Sequence, residues 1–405
     1  MTELAAAADP GIVASAGPRY FGFVIGGSTP AALAADWLTS VWDQNAGLHV
    51  AGPAAAVIED IAAGWLLDLL DLPTTASVGF VTGATMANFT CLAAARHAVL
   101  AKAGWDVERD GLFGAPPPRV IVGVERHVTI DAALRYLGLG SDRIQLVEVD
   151  RQGAMLPDAL HAVLAAGDGP AIVCAQAGNV NTGAIDPLAE ICDLAHRQGA
   201  WVHVDGAFGL WAAATPALRP LLAGSSSADS WATDAHKWLN VPYDSGLAIV
   251  ADPQAHAAAM GKAASYLVGG PAGQRDPFTW TPEASRRARG IPIYAMLRAL
   301  GRTGVADLVD RCCALANRFA LRLAAADDVE VLNDVVLNQV LVRFAGSDEV
   351  TRDVVSRVQA DGTCWAGGTT WQGRAAMRIS VSNWSTTEAD IDLSAEAILR
   401  AFEAT

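Results

Sequence analysis

One lysine is placed where its amine could become reactive. Lys237 follows an apolar stretch and stands beside His236 in the run from Asp234 to Leu239. Apolar surroundings lower the pKa of a lysine, and the neutral amine can then attack a carbonyl group to form a Schiff base. A lone lysine at the end of a strand is most often a surface residue. The assignment therefore depends on the chemical groups that accompany it.

An aspartate ends another apolar stretch, which runs from Trp201 to Ala207. A carboxylate there is costly to bury unless a cation pairs with it. The protonated ring nitrogen of a bound cofactor would be such a cation, and a capping or salt-bridged Asp205 at a sheet edge is the alternative. A metal site of His203, Asp205 and His236 is disfavoured, because no further closely spaced ligand supports it.

Two other turns carry groups that suit a phosphate and an aromatic ring. In the run from Thr82 to Asn88 a strand ends, a glycine turn follows and a helix begins, so free amides and the helix dipole can bind a phosphate. This run matches neither the P-loop nor the dinucleotide fingerprint. His127 follows a strand and could stack on an aromatic cofactor, although a hydrogen-bonded loop histidine explains it equally well.

Short β-branched stretches alternate with helical patterns in the middle of the chain, which predicts an α/β fold with a mostly parallel sheet and helices on both faces. The last two strands have no long helix between them, so we expect an antiparallel member. Ligands of such sheets bind at the carboxyl ends of the strands, where the four groups above lie. The predicted strands are Ser77–Val81, Arg119–Glu125, Arg143–Val149, Ala171–Ala177, Trp201–Asp205, Ser230–Thr233 and Leu247–Val250. The predicted helices between the first five are Met86–Lys102, Ile130–Leu137, Pro157–Ala165 and Pro187–Gln198.

The alternation stops after Pro292, which predicts three parts of the chain. Residues 1–60 form an N-terminal arm and helical segment, residues 61–292 form the large domain, and residues 293–405 form a smaller α+β domain. The smaller domain begins with a long helical pattern, Ile293–Ala325.

Composition excludes several classes of protein. The 405 residues include 28 basic and 43 acidic side chains, a net charge of −15, so nucleic acid and anionic membrane surfaces are poor partners. Every apolar run ends before the 18 residues that a membrane span needs. The six cysteines form no C-x-x-C pair and the first residues carry no basic leader, so we expect free thiols and a cytoplasmic protein.

The order of these motifs resembles the group II pyridoxal 5′-phosphate (PLP)-dependent decarboxylases, which have fold type I. That family includes aromatic-amino-acid, glutamate and tyrosine decarboxylases. The resemblance implies a large, mostly parallel seven-stranded domain and a smaller C-terminal α+β domain. The matching segments are Pro18–Phe23, Ala51–Pro53 with Glu59, His203–Ala207, His236–Trp238 with Asp244 and Ser245, Ser285–Arg289, and Arg378–Ser380 with Asn383, Trp384 and Thr387.

The resemblance implies a role for each matched residue toward PLP. Lys237 would form the internal aldimine, Asp205 would pair with the pyridine nitrogen, and His127 would stack on the ring. A family threonine is replaced by Gln176, which favours a bacterial branch over the animal and plant enzymes. The implied cofactor-binding residues are Ala84, Thr85, His127, Gln176, Asp205, Ala207, His236 and Lys237, and Phe23 belongs to the implied substrate segment.

The implied reaction is decarboxylation of an amino acid through the aldimine and a quinonoid intermediate, in a homodimer with active sites at the subunit interface. Phe278 occupies the place of the loop tyrosine that protonates the quinonoid carbon in the family, and a phenyl ring cannot donate a proton. Tyr266 takes that role if the alignment slips. The alternatives on the same fold are an aldehyde synthase, an aminotransferase and a carbon–carbon lyase. A relative without activity is disfavoured, because Lys237, Asp205 and His127 are all present.

Overall fold

The fold is described from a computed structural model for residues 1–262 and 274–405. A seven-stranded sheet forms its centre, in the order β1-β7-β6-β5-β4-β2-β3. Only β7 runs antiparallel to its neighbours within this sheet, as the sequence predicted. The strands are β1 (Ser77–Val81), β2 (Arg119–Gly123), β3 (Ile144–Val147), β4 (Ala171–Gln176), β5 (Trp201–Asp205), β6 (Ser230–Asp234) and β7 (Gly246–Val250).

Helices cover both faces of this sheet, which confirms the predicted α/β class. Successive residues of a strand point to opposite faces, and Ile121 of β2 packs in one core cluster whereas its neighbours Val120 and Val122 pack in the other. The helices before and within this domain are α1 (Thr2–Ala8), α2 (Pro30–Trp42), α3 (Pro53–Leu69), α4 (Ala84–Lys102), α5 (Val107–Asp110), α6 (Val128–Tyr136), α7 (Pro157–Ala165), α8 (Leu188–Arg197) and α9 (Pro253–Met260).

A second, antiparallel sheet forms the C-terminal part of the chain, in the order β10-β11-β9-β8. The long helix that leads into it is broken at Gly301, where the prediction had a continuous helix. Its φ of 63° is a left-handed value that glycine adopts without a steric penalty. The elements are α10 (Gly290–Ala324), β8 (Val329–Val331), β9 (Gln339–Phe344), α11 (Asp348–Asp361), β10 (Gly367–Trp371), β11 (Arg374–Ser380) and α12 (Glu388–Glu403). The domain boundaries given above remain a prediction.

The N-terminal arm is held against both domains. The amide of Phe21 donates to the carbonyl of Trp365, and the amide of Ser380 donates to the carbonyl of Phe21. A buried ion pair of 2.8 Å joins Arg286 to Glu59 of α3. Arg286 also donates to the carbonyl of Phe80 in β1. The arm is therefore fixed beside the carboxyl end of β1.

None of the helices in the described ranges is both long and apolar enough to cross a membrane.

Candidate active site

A cavity of about 450 Å³ opens at the carboxyl ends of the parallel strands. Asp205 ends β5, Asp234 ends β6, and the turn after β1 begins α4, so three chain segments deliver polar groups to one edge of the sheet. The cavity brings together nine of the predicted residues, namely Phe23, Ala84, Thr85, His127, Gln176, Asp205, Ala207, His236 and Lys237.

The amine of Lys237 forms an ion pair with a buried carboxylate. Its Nζ lies 2.8 Å from Oδ2 of Asp234, whose side chain is 2% exposed. The other carboxylate oxygen, Oδ1, accepts a hydrogen bond of 2.6 Å from the amide of Ala84. The sequence predicted apolar surroundings for this amine, and the structure places an anion beside it instead. Asp234 is the first residue of the run that carries Lys237, but the sequence alone indicated no role for it.

The start of α4 offers backbone amides to an anion. The amides of Thr85 and Met86 donate to no acceptor among the described residues, as expected for the first turn of a helix. Ala84 was predicted to bind the phosphate, but its amide donates to Asp234 instead. A side chain on Gly246 would come within 2.5 Å of the backbone of Gly83, so glycine permits the close approach of β7 to this turn.

His236 lies beside the same turn. Its Nδ1 accepts a hydrogen bond of 3.1 Å from the amide of Ser245, which places the proton of the neutral ring on Nε2. That atom is 3.6 Å from Oδ1 of Asp234. Burial lowers the pKa of His236, and the carboxylate of Asp234 offsets part of this effect. His236 thus offers a donor close to the free amides of α4.

Asp205 is a buried carboxylate that pairs with no cation in residues 1–262 and 274–405. It is 5% exposed and accepts hydrogen bonds from Nδ2 of Asn88 at 3.3 Å and from the amide of Ala207 at 3.2 Å. Within the described part of the chain no Lys, Arg or His side chain forms an ion pair with it. Because an unpaired buried charge is costly, this carboxylate is suited to a cationic atom of a ligand.

His127 lines the cavity at the start of α6. Its Nδ1 contacts Oγ1 of Thr129 at 2.8 Å and accepts from the amide of Thr129 at 3.3 Å. Burial lowers its pKa below the usual 6.5, although the carboxylate of Asp205 opposes the shift. The ring is therefore mainly neutral at pH 7, and its Nε2 has no partner among the described residues.

Arg378 of β11 also lines the cavity, although the sequence reasoning gave it no role there. It makes no hydrogen bond or ion pair with any residue in the described ranges, and burial lowers the pKa of its guanidinium. The feature of the sequence that could have revealed Arg378 is its charge between the apolar residues Met377 and Ile379 of a strand.

The predicted loop residues lie elsewhere. Phe278 does not line the cavity of its own chain; it is 6% exposed, its amide donates to the carbonyl of Gly47, and its ring lies 5.7 Å from Nζ of Lys262. Tyr266 lies outside the described residues. Phe23 borders the cavity with a left-handed φ of 54° and packs on Trp365 at a centroid distance of 5.3 Å.

The comparison with protein families shows to which family the chain belongs. The family described as "Pyridoxal-dependent decarboxylase conserved domain" matches residues 1–345. The chain belongs to the pyridoxal-dependent decarboxylase family. Members of this family are PLP-dependent amino-acid decarboxylases, and this protein is therefore a PLP-dependent carboxy-lyase that acts on an amino acid.

Named relatives show how far the similarity extends. An aromatic-L-amino-acid decarboxylase of Bacillus atrophaeus is 28% identical over 84% of this chain and 70% of the relative. A 4-hydroxyphenylacetaldehyde synthase of Rhodiola rosea is 27% identical over 89% of this chain and 76% of the relative. A structure of Oryza sativa TDC with PLP and tryptamine is 26% identical, with a TM-score of 0.93 over 100% of this chain and 87% of that chain.

The residues of the cavity fit PLP. In the part of the chain that the structure describes, Asp205 has no cation of the kind a protonated pyridine nitrogen would supply, and the amides of Thr85 and Met86 have no acceptor of the kind a phosphate would supply. Lys237 supplies the primary amine. These three matches are independent of the family assignment.

Borohydride reduction of the PLP-loaded protein should attach the cofactor to Lys237 alone, and Lys237→Ala should abolish the attachment. The chain has three lysines. The Nζ of Lys262 donates to the carbonyls of Met260 and Thr281, both at 2.9 Å, and Lys102 lies in the last turn of α4. Peptide mass spectrometry identifies the labelled residue, and label on Lys102 or Lys262 would show that the site is misassigned.

Proposed function

We propose that this decarboxylase works through Lys237, Asp205 and His127. PLP, when bound, withdraws electrons from the substrate carbon as CO₂ leaves. Asp205 would hold a proton at the pyridine nitrogen, because its buried carboxylate pairs with no cation among the described residues. Lys237 supplies the primary amine that would hold the aldehyde group of the cofactor. His127 lines the same cavity and would stack on the ring of the cofactor, and Ala207 and Gln176 line the cavity with it.

The phosphate has a proposed binding place at the start of α4. Thr85 and Met86 contribute amides, and His236 contributes Nε2–H. Asp234 orients this turn through the amide of Ala84 and holds Lys237 through its other oxygen. With a phosphate bound at this turn, Lys237 would stay paired with Asp234, which is also the residue that orders the turn.

The observation that carries the proposal is the buried carboxylate of Asp205. A cavity that contains an uncompensated carboxylate, a primary amine and free helix amides matches the ring nitrogen, aldehyde and phosphate of one cofactor.

A second outcome is decarboxylation to an aldehyde, in which amino acid, dioxygen and water give aldehyde, CO₂, ammonia and hydrogen peroxide. The support is that Phe278 lacks an acidic proton and does not line the cavity. The Rhodiola rosea relative is named as an aldehyde synthase. The amine product requires a proton donor at the substrate carbon, and His127 is our candidate for it.

The share of amine in the product should fall as pH rises through the pKa of His127. That pKa lies below 6.5, so the protonated ring is present only at acid pH and disappears above it. His127→Gln should remove this pH dependence and raise the share of aldehyde. Amine, aldehyde and CO₂ are quantified together by chromatography and gas analysis. An unchanged product ratio in His127→Gln would contradict this role, and a higher share of amine in Phe278→Tyr would show that a phenol at this place of the loop delivers the proton.

We also propose that Arg378 binds an anionic group on the side chain of the substrate. Its guanidinium faces the cavity without a described partner. An ion pair with the leaving carboxylate would stabilise the bound substrate more than the transition state, which releases neutral CO₂. A contact with a side-chain carboxylate lacks that disadvantage. The cavity therefore suits an acidic amino acid.

Arg378→Met should lower kcat/KM for aspartate and glutamate by about 10- to 100-fold, the value of a hydrogen bond to a charged group, and leave tyrosine and tryptophan nearly unchanged. Arg374→Met is the control, because Arg374 lies on the same strand and is 52% exposed. Equal losses for acidic and aromatic substrates would place Arg378 on the α-carboxylate.

A homodimer is proposed from the apolar face of the arm. On α2, Trp37 is 66% exposed and Val41 is 78% exposed, and these residues lie one helical turn apart. Ile61 and Trp65 on α3 are further exposed apolar side chains of the same part of the chain. The exposed apolar face of α2 is therefore our candidate for the subunit interface.

The double variant Trp37→Glu/Val41→Glu should sediment as a monomer, since two charges cannot be buried in an apolar interface. Gln44→Glu adds a charge at a nearby exposed position and should leave the dimer intact. Sedimentation equilibrium measures both. A monomeric wild type with full activity would contradict the proposal.

Cytoplasmic location and a bacterial branch also remain proposals. All six cysteines are buried and free, which is compatible with a reducing compartment. Cell fractionation tests the location.

A further inference from the structure

One buried side-chain amide, that of Asn88, is hydrogen-bonded to Asp205 and is linked to His127 through Thr129. Asn88 lies in α4 and is fully buried. Its Oδ1 lies 2.9 Å from Nε2 of His203. Its Nδ2 donates to Oδ2 of Asp205 at 3.3 Å and to Oγ1 of Thr129 at 3.2 Å. Both the NH₂ group and the oxygen of this amide are thus directed to these three side chains.

The hydrogen-bond partners of Asn88 set the orientation of its amide. Oγ of Ser230 accepts from Nε1 of Trp201 at 2.9 Å and lies 2.9 Å from Nδ1 of His203. A carboxylate can only accept, so Nδ2 of Asn88 faces Asp205 and its Oδ1 faces Nε2 of His203. Nε2 then carries the proton, while Nδ1 accepts from the hydroxyl of Ser230. Burial lowers the pKa of His203 to about 3, so the ring stays neutral. An Nε2–H donor requires the oxygen of Asn88 to face His203.

The NH₂ group of Asn88 must then face the cavity side. One hydrogen is directed to Asp205, which keeps a donor on the buried carboxylate. The other is directed to Oγ1 of Thr129, so the hydroxyl of Thr129 donates in turn to Nδ1 of His127. A flipped amide would place its oxygen against the carboxylate of Asp205.

We propose that Asn88, oriented by His203 and Ser230, is a positioning residue that fixes the carboxylate of Asp205 for the pyridine nitrogen of PLP. Asn88 does not itself line the cavity and acts through Asp205. The inference rests on the proposed role of Asp205. It extends that role to a chain of buried hydrogen bonds that ends at Trp201.

The test is a double-mutant cycle read out as the Kd of PLP rather than as activity. Absorbance titration of the cofactor-free protein gives Kd for the wild type, Asn88→Ala, Asp205→Asn and the double variant. Asn88→Ala should weaken PLP binding by about tenfold, the loss of a hydrogen bond to a charged group. In the Asp205→Asn background the same substitution should change Kd by less than about twofold, because the group through which it acts is altered.

Two further variants separate positioning from packing. Thr90→Ala is the control, since Thr90 is equally buried in α4 and its hydroxyl donates only to the carbonyl of Met86. Its Kd should equal that of the wild type. Asn88→Ser keeps a polar side chain and repeats the cycle if Asn88→Ala fails to fold.

The outcomes distinguish this inference from the proposal beneath it. A wild-type Kd in Asp205→Asn would overturn the role of Asp205 and this inference with it. A weakened Asp205→Asn combined with an unchanged Asn88→Ala would overturn only the positioning role. An equal loss from Asn88→Ala in both backgrounds would assign Asn88 to packing, and would overturn the positioning role as well.

Discussion

The burial of the Asp205 carboxylate is the constraint on which the site depends. An ionised carboxylate in an apolar interior is stable only when donors and a positive charge compensate it. The described chain supplies donors from Asn88 and Ala207 but no cation. The missing charge is the one that a protonated pyridine ring would bring, which is the basis of the role proposed for Asp205. Asp234, by contrast, has its cation within the chain, in Lys237.

Asn240 connects the segment that carries Lys237 to other parts of the chain, and its own amide donates to the carbonyl of Lys237. Oδ1 of Asn240 accepts from the amides of Gly27 and Trp384, and its Nδ2 donates to the carbonyl of Ser382. One side chain, three residues after the lysine, thus joins the N-terminal arm, the large domain and the C-terminal segment. This junction explains why Phe23 from the arm and Arg378 from β11 border a cavity at the end of β6.

Strand ends could be predicted from sequence because they depend on local pattern. Trp201–Asp205 and Ser77–Val81 were predicted with the bounds that the structure has, and the residues that follow such strands were expected at one edge. The contact of Asp234 with the amide of Ala84 could not be predicted, because it depends on how α4 approaches β6 across 150 residues of chain. The same holds for Arg378, which reaches the cavity only through domain packing, and for Phe278, whose burial against Gly47 no local pattern encodes.

The most direct test of this account is the protonation state of the ring nitrogen in protein loaded with PLP that carries ¹⁵N in the pyridine ring. The ¹⁵N chemical shift distinguishes a protonated from a free nitrogen. The account predicts a protonated nitrogen in the wild type at neutral pH, and loss of that proton in Asp205→Ala. An unprotonated nitrogen in the wild type, or a protonated one in Asp205→Ala, would contradict the role given to the buried carboxylate.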